Sequence, residues 1–389
     1  MDLTVLAFAS MQNINNMIEI RQVLSKKEQK DFLNFPNKLY KKCPFYVPPL
    51  YMDEKKIFRD DYVYNDQCET IYYNAYIDGK IVGRISGIIQ HVSNAKENTK
   101  RVRFTRFDAI NNQEVANALF STAENWAKKH GMDTIVGPLG FSDLEREGLL
   151  IDGFDQLSTY EEQYNYDYYQ ILIENYGFKK EVDWVERKLY APDVYDDRIE
   201  KISQKMFEKY HLKFGEAKNT KDFINKYADK FFDIIDKTYV NIYGSVPFTE
   251  EMMKMMIDNF KLIINIKHVA VVVDENDNVV CFGICFPSLA KALVGSGGHL
   301  RPLTLLKVLK AIKKPNVLDL GLIGVLPEYE SKGIASAIIA KVMQYLNSGT
   351  IKYIETNLNL EDNHRIINQW KHFNNVLHKR RRCFVKKID

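Results

Sequence analysis

The stretch GLIGVLPEYESKGIASAIIAKVM, residues 321–343, combines residue types and spacing that could do chemistry. A strand-like run breaks at Pro327, a charged turn carries one glycine at 333, and an apolar helical segment follows. Glycine at a strand-to-helix turn lets backbone amides approach a ligand closely, and phosphate is the ligand a helix N-terminus suits best. Gly333 removes a Cβ at the point of approach, Lys332 adds a cation, and Ser331, Ile334 and Ala335 supply the neighbouring amides. Glu328 and Glu330 run against an anion cradle, and an ordinary strand-to-helix loop carries glycine and charges too.

Other groups have weaker claims. Asp143, Glu145 and Glu147 in GPLGFSDLEREGLL could attract a cationic amine, although loop carboxylates are commonly just solvated. Cys281 and Cys285 lie four apart on an expected strand and share a face, but no second ligand pair follows. Buried thiols are expected there rather than zinc ligands or an acyl-carrying nucleophile, and no metal site is expected. His299, in SGGHLRP, is the histidine expected nearest a substrate. The basic run HKRRRCFVKK at 378–387 reads as a solvated edge strand, with contact to a phosphate or an acidic partner as the sharper alternative.

These residues need elements to position them. The chain of 389 residues is long for one core, so two domains are expected. A net charge of +3 gives no sign of the broad basic channel that a nucleic-acid partner needs. Five cysteines fit no disulfide framework, no apolar run reaches ~20 residues, and the reading is a cytoplasmic protein with no membrane partner. Residues 1–16 are expected to be a flexible extension.

The first half reads as strand 18–23, helix 26–41, a hairpin of strands 69–77 and 80–90, strand 102–109 and helix 112–130. Strand 133–137, a loop through 163, helix 164–176 and strand 182–190 complete it. The second half repeats the grammar: strand 209–215, helices 220–241 and 248–261, hairpin 267–273 and 279–287, helix 302–312, strand 316–325, helix 332–346, strand 351–357, helix 361–374 and strand 380–387. A boundary near 195 divides a domain of 17–194 from one of 195–389. The long connections 138–163 and 288–315 are expected to be functional or mobile.

This order of elements, with VLPEYESKGIASAII at its turn, resembles the GNAT superfamily of acyl-CoA N-acyltransferases, as two tandem units in a mixed α/β fold. The resemblance implies that Ile323, Val325, Ser331, Lys332, Gly333, Ile334, Ala335 and Asn363 bind acetyl-CoA in the C-terminal unit. Val325 would pair with the pantetheine where the sheet splays. Glu330 stands where the family has Arg or Gln. Asp319, six residues before Val325, is at a spacing where some members place a base carboxylate, and an Asp merely paired with a Lys fits as well. The slot of the family's proton-donating tyrosine holds Trp370, whose indole cannot donate usefully. In the first unit that slot holds Leu172 or Ile173, and FDAINNQEVANAL has no glycine turn, so this unit is expected to be a scaffold. The implied function is acetyl transfer to the amine of a small molecule or peptide. The alternatives are a non-catalytic CoA-binding or interaction protein and an aminoacyl-tRNA-dependent transferase.

Overall fold

The computed structural model describes residues 17–194, 197–239 and 242–388; the expected extension at 1–16 and the boundary at 195 lie outside the described residues. Strands β1 (Glu19–Gln22), β2 (Cys68–Ile77), β3 (Lys80–Gln90), β4 (Arg101–Ala109), β5 (Thr134–Gly137), β6 (Leu149–Asp152) and β7 (Lys179–Tyr190) come from the first half. The second half adds β8 (Lys213–Phe214), β9 (Val269–Val273), β10 (Val279–Pro287), β11 (Val317–Val325), β12 (Tyr353–Thr356), β13 (Asn359–Leu360) and β14 (Asn374–Lys387). All belong to one sheet, ordered β1-β2-β3-β4-β5-β14-β7-β12-β11-β10-β9-β8, with β6 against β14 and β13 against β7. The hairpin β2–β3 turns on Asp78 and Gly79, both at positive φ, as a type I′ turn requires. Helices Gln113–Lys129 and Ala335–Asn347 pack their apolar faces on the two halves of the sheet.

The last strands of the two halves are exchanged. Strand β14, the end of the chain, pairs with β5 of the first half, while β7 pairs with β12 of the second. Between them, β14 and β7 form a long antiparallel ladder. The basic run is therefore not a solvated edge: Lys379 and Arg381 are 1% and 0% exposed. They face carboxylates. Lys379 Nζ lies 2.9 Å from Glu186 and also bonds Glu355, while Arg381 Nε lies 2.6 Å from Glu186. On the other face Arg382 and Arg380 bond Asp183. The alternation of strand side chains gives each face its own cations, and β7 supplies an acid to each.

Two further expectations change. Helix Arg198–Tyr210 follows the boundary region, where no element is expected, and takes the first residues of the strand expected at 209–215, so that only Lys213–Phe214 is extended there. Its Met206, Phe207 and Tyr210 pack against Ile334, Ala337 and Ile338, so tertiary contact stabilises a highly charged segment as a helix. The helix expected at 361–374 is short, His364–Gln369, followed by a 3-10 turn.

The buried cations set a stability prediction. The neighbouring Arg381 and Lys379 hold Glu186 down to about 2, against burial that alone would raise it. A carboxylate depressed in the folded state contributes stability that is complete above its unfolded value near 4.5 and is lost as pH falls toward 2. Glu186→Ala leaves two buried cations short of a partner and is expected to cost about 3–5 kcal/mol in urea unfolding at pH 7. The difference from the parent should shrink as the pH is lowered through that window.

Candidate active site

Both halves contain a place where two parallel strands begin together and then part. Strand β11 pairs with β12 from Val317 to Leu320 only, and β4 pairs with β5 from Arg101 to Arg103 only. Beyond those points each strand offers backbone groups along an open edge. In the first half the chain itself fills the gap. Tyr169 Oη accepts from Ala109 N at 3.1 Å, Tyr168 Oη donates to Ala109 O at 2.8 Å, and Leu139 N donates to Phe104 O.

In the second half the gap is open. A cavity of about 360 Å³ lies between β11 and the segment 357–370, and its floor includes Leu320 to Ile323 and Val325. Tyr239 Oη donates to Ile323 O at 3.1 Å and Asn357 Nδ2 to Gly321 O at 3.5 Å, so this edge of β11 faces the cavity. Leu326 N points the other way, to Val280 O on β10. By alternation the amide and carbonyl of Val325 turn into the cavity beside those of Ile323.

The helix N-termini differ in the same sense. Asn112 Oδ1 accepts from both Glu114 N and Val115 N at the start of helix Gln113–Lys129, which closes that end to a ligand. Helix Ala335–Asn347 has no side-chain cap. Its approach is a 3-10 turn, Pro327–Lys332, then Gly333 at φ +74°, a backbone setting that favours glycine. The carbonyls of Gly333 and Ile334 accept from Ser336 N and Ala337 N, and the amides before these belong to the first turn, which a helix cannot satisfy internally.

Glu330 and Ala335 line the cavity mouth. Glu330 is paired with Arg365 at 2.7 Å, so the carboxylate that read as an obstacle to an anion is neutralised by a cation the turn does not contain. Asn363 also lines the mouth, with Oδ1 capping Ile366 N. Lys332 lies over the rings of Tyr210 and Tyr329, Ile334 is fully buried in the core and Ser331 is exposed. From these three, backbone rather than side chain is what the turn offers.

At its inner end the cavity is acidic. Asp143, Glu145, Glu147, Glu161 and Glu162 line it, all from the loop 138–163. Burial pushes Asp143 up to about 6, Glu161 to about 7 and Glu162 to about 8, partly countered for Glu161 by Arg146 and for Glu162 by Arg381. Glu161 also lines two neighbouring cavities. One is a small pocket at Asp319 and Tyr160, and the other, about 160 Å³, is bounded by Tyr46, Arg84, Arg106 and Arg146 of the first half. Glu161 was not among the residues singled out by sequence; its only signal was membership of a long loop. Buried Arg381 holds that loop in place through Gln163 O at 2.6 Å.

Asp319 lies opposite Phe286 and beside Glu355, in the part of β11 still paired. Burial and the Glu355 charge raise its pKa well above the usual carboxylate range. Trp370 is buried, and its Nε1 donates to Asn359 Oδ1 at 2.9 Å. Cys281 and Cys285 are core residues, burial raising the Cys285 thiol to about 12. His299 stacks beside Tyr51 rather than lining the cleft. Glu186, Glu355 and His378 bring ligand-type atoms within 4.8 Å of one another, but the cation the carboxylates hold is Lys379.

A mixed sheet with two such parting points, the second open beside an uncapped helix, is the tandem GNAT fold. The chain superposes on the tandem GNAT protein from the clavulanic acid biosynthesis pathway with a TM-score of 0.55, 11% identity, and coverage of 96% of this chain and 99% of that one. It matches a fungal multi-domain GH3 β-N-acetylglucosaminidase, described as having a GCN5-related glucosamine N-acetyltransferase region, with a TM-score of 0.57. There the identity is 13%, over 96% of this chain and 38% of the other. In sequence it is 26% identical to Protein YghO of Escherichia coli (strain K12) over 390 residues, 96% of this chain and 98% of that protein. It is also 26% identical to the Bacterial ceramide synthase of Caulobacter vibrioides (strain NA1000 / CB15N) over 310 residues, 78% of each. No family model matches the chain.

The contrast between the helix starts is testable. Asn112→Ala removes an acceptor used by two amides and is expected to lower stability by about 1 kcal/mol in thermal or urea unfolding. No ligand binding at the second-half turn should change with it.

Proposed function

We propose that the protein is an acyl-CoA-dependent N-acyltransferase, with residues 195–389 holding the acyl-CoA and residues 17–194 serving as scaffold and acceptor-side wall. The observation that carries this reading is the difference between two equivalent places. The first has its strand edge and helix start filled by Tyr168, Tyr169 and Asn112. The second leaves its helix start uncapped and its strand edge beside an open cavity, with side chains on the Gly321 and Ile323 carbonyls alone. An extended pantetheine would pair with Ile323 and Val325. The pyrophosphate would meet amides of Gly333 to Ala335, with Arg365 cancelling the charge of Glu330. Several amide interactions, each worth about 0.3–1 kcal/mol, then act without a standing repulsion.

The amine nitrogen attacks the thioester carbonyl carbon; a C–N bond forms, the C–S bond breaks and the amine loses a proton. We assign that proton to Glu161. Its pKa of about 7 suits a base at neutral pH, and the resulting acid can pass the proton to the departing CoA thiolate. Asp319, whose ionisation burial and the Glu355 charge disfavour, lines the adjoining pocket and is not the base on this reading. The relative named a bacterial ceramide synthase points to an acceptor amine on a long apolar chain, since a ceramide is a fatty amide of a long-chain amino alcohol. Leu144, Phe260, Phe286, Leu358 and Leu360 in the cleft wall are compatible with such a chain.

Calorimetric titration with acetyl-CoA and a long-chain acyl-CoA tests the donor site. Gly333→Glu should abolish binding of both without unfolding the domain, because it adds bulk and charge where the phosphates approach. Binding equal to the parent's would remove the main support for the reading. For the chemistry, turnover against a panel of amines should rise with pH through about 7 as Glu161 ionises. Glu161→Gln should lower kcat about 10²–10⁴-fold, flatten that rise and leave acyl-CoA affinity intact. Asp319→Asn should retain the profile; if it alone flattens the rise, Asp319 is the base.

A further inference from the structure

The connection 288–315 carries a surface that the proposed chemistry does not use. Helix Pro302–Lys313 buries only Val308 fully, and its outer side leaves Leu303 67%, Leu306 64%, Leu309 44% and Leu305 41% exposed. Leu300, just before the helix, is 37% exposed. Between these leucines stand Lys307, Lys310, Lys313 and Lys314, none ion-paired among the described residues. The whole run 279–318 contains six Lys and Arg residues and no Asp or Glu. A soluble surface helix normally puts its leucines inward, and here they share the outside with cations.

No helix among the described residues is long and apolar enough to cross a membrane, but this one has the composition of a helix that lies in the plane of a bilayer surface. Leucine side chains enter the headgroup boundary, while lysine stems cross it and leave their ammonium groups at the phosphates. A second copy of this chain fits less well, because the same patch would bring like charges together. An acid-free patch calls for an anionic occupant.

We propose that helix Pro302–Lys313 docks the protein on an anionic lipid surface. Its inner side connects this surface to the cleft: Val308 packs with Leu289, Leu293, Ile263 and Tyr160, and three of these four line the pocket at Asp319. Docking would therefore set the acceptor end of the site close to the bilayer. This deepens the reading of a long-chain amine acceptor, but the binding itself does not depend on it.

Flotation of the full chain with vesicles tests the surface directly. Binding is expected to vesicles of phosphatidylcholine with 30% phosphatidylglycerol, to weaken at high salt, and to be slight on phosphatidylcholine alone. With each surface lysine worth about fivefold in partitioning, Lys307→Glu with Lys310→Glu should lower binding to anionic vesicles by at least tenfold. Leu303→Ser with Leu306→Ser should lower it comparably and reduce the melting temperature only slightly, through the lower helix propensity of serine. Turnover of a short water-soluble amine should be unaffected in both variants, so loss of lipid binding and loss of catalysis are read separately. Parent-like flotation by both variants, or no binding by the parent at low salt, overturns the proposal. So does a parent dimer in light scattering that Leu303→Ser with Leu306→Ser converts to monomer.

Discussion

Two cations without access to water hold the molecule together. Lys379 and Arg381 stand at the centre of the sheet, and their burial is tolerable only because the carboxylates of Glu186 and Glu355 are set against them. The same charges fix register. As paired, Lys379 and Arg381 meet Glu186 on one face and Arg380 and Arg382 meet Asp183 on the other; a one-residue slip would exchange the two pairs between faces and break each of these contacts. Because β14 belongs to the second half and pairs with β5 of the first, this constraint also joins the halves into one sheet. It reaches the cleft as well: Arg381 bonds Gln163 O, two residues from Glu161.

The halves share an architecture and differ in how its open points are used. A parting of parallel strands leaves backbone donors and acceptors that must be satisfied by protein, water or ligand. The first half satisfies them with tyrosines from helix Tyr168–Asn175 and an asparagine cap. That filling is stabilising, and it removes the one feature that could hold an extended ligand. In the second half Tyr239 and Asn357 each take a single carbonyl and leave the cavity open. On the proposed reading, stability and binding compete for the same kind of backbone group, and two units allow one to serve each.

Much of this was legible in the sequence because it depends on local signals. The hairpin at Asp78-Gly79, the strand ending before Pro327 and the turn at Gly333 follow from backbone preferences that a few residues declare. What escaped depends on partners far along the chain. HKRRRCFVKK reads as an exposed edge until Glu186 and Asp183, almost two hundred positions earlier, are set against it. Glu330 reads as a repulsive charge until Arg365 arrives from another helix. The helix Arg198–Tyr210 is not expected from the sequence because its charges hide an apolar face that only the helix at Ala335–Asn347 explains. Glu161 had no local signature, since what sets it apart is the desolvation that distant segments impose on a half-buried carboxylate.

That desolvation has a consequence for how the cleft takes up an amine on the proposed reading. Asp143, Glu161 and Glu162, raised to about 6, 7 and 8 chiefly by burial, line one cavity, and the charge of Glu161 opposes ionisation of Glu162. At neutral pH the empty cleft therefore holds protons that free carboxylates would have lost. An arriving ammonium reverses the balance, because an adjacent positive charge favours the ionised carboxylate and lowers these values. The cleft then gains negative charge as the substrate enters. Glu161, being nearest the middle of the series, is the group whose protonation changes most for a small shift near pH 7. The ammonium must first give up one proton to water through Glu161 before its lone pair can attack; that loss removes the cation that lowered the series and leaves Glu161 ready for the second proton, released on amide formation. A cluster that is uncomfortable when empty thus responds to its occupant, and the direction of that response follows the proton movement of amide formation.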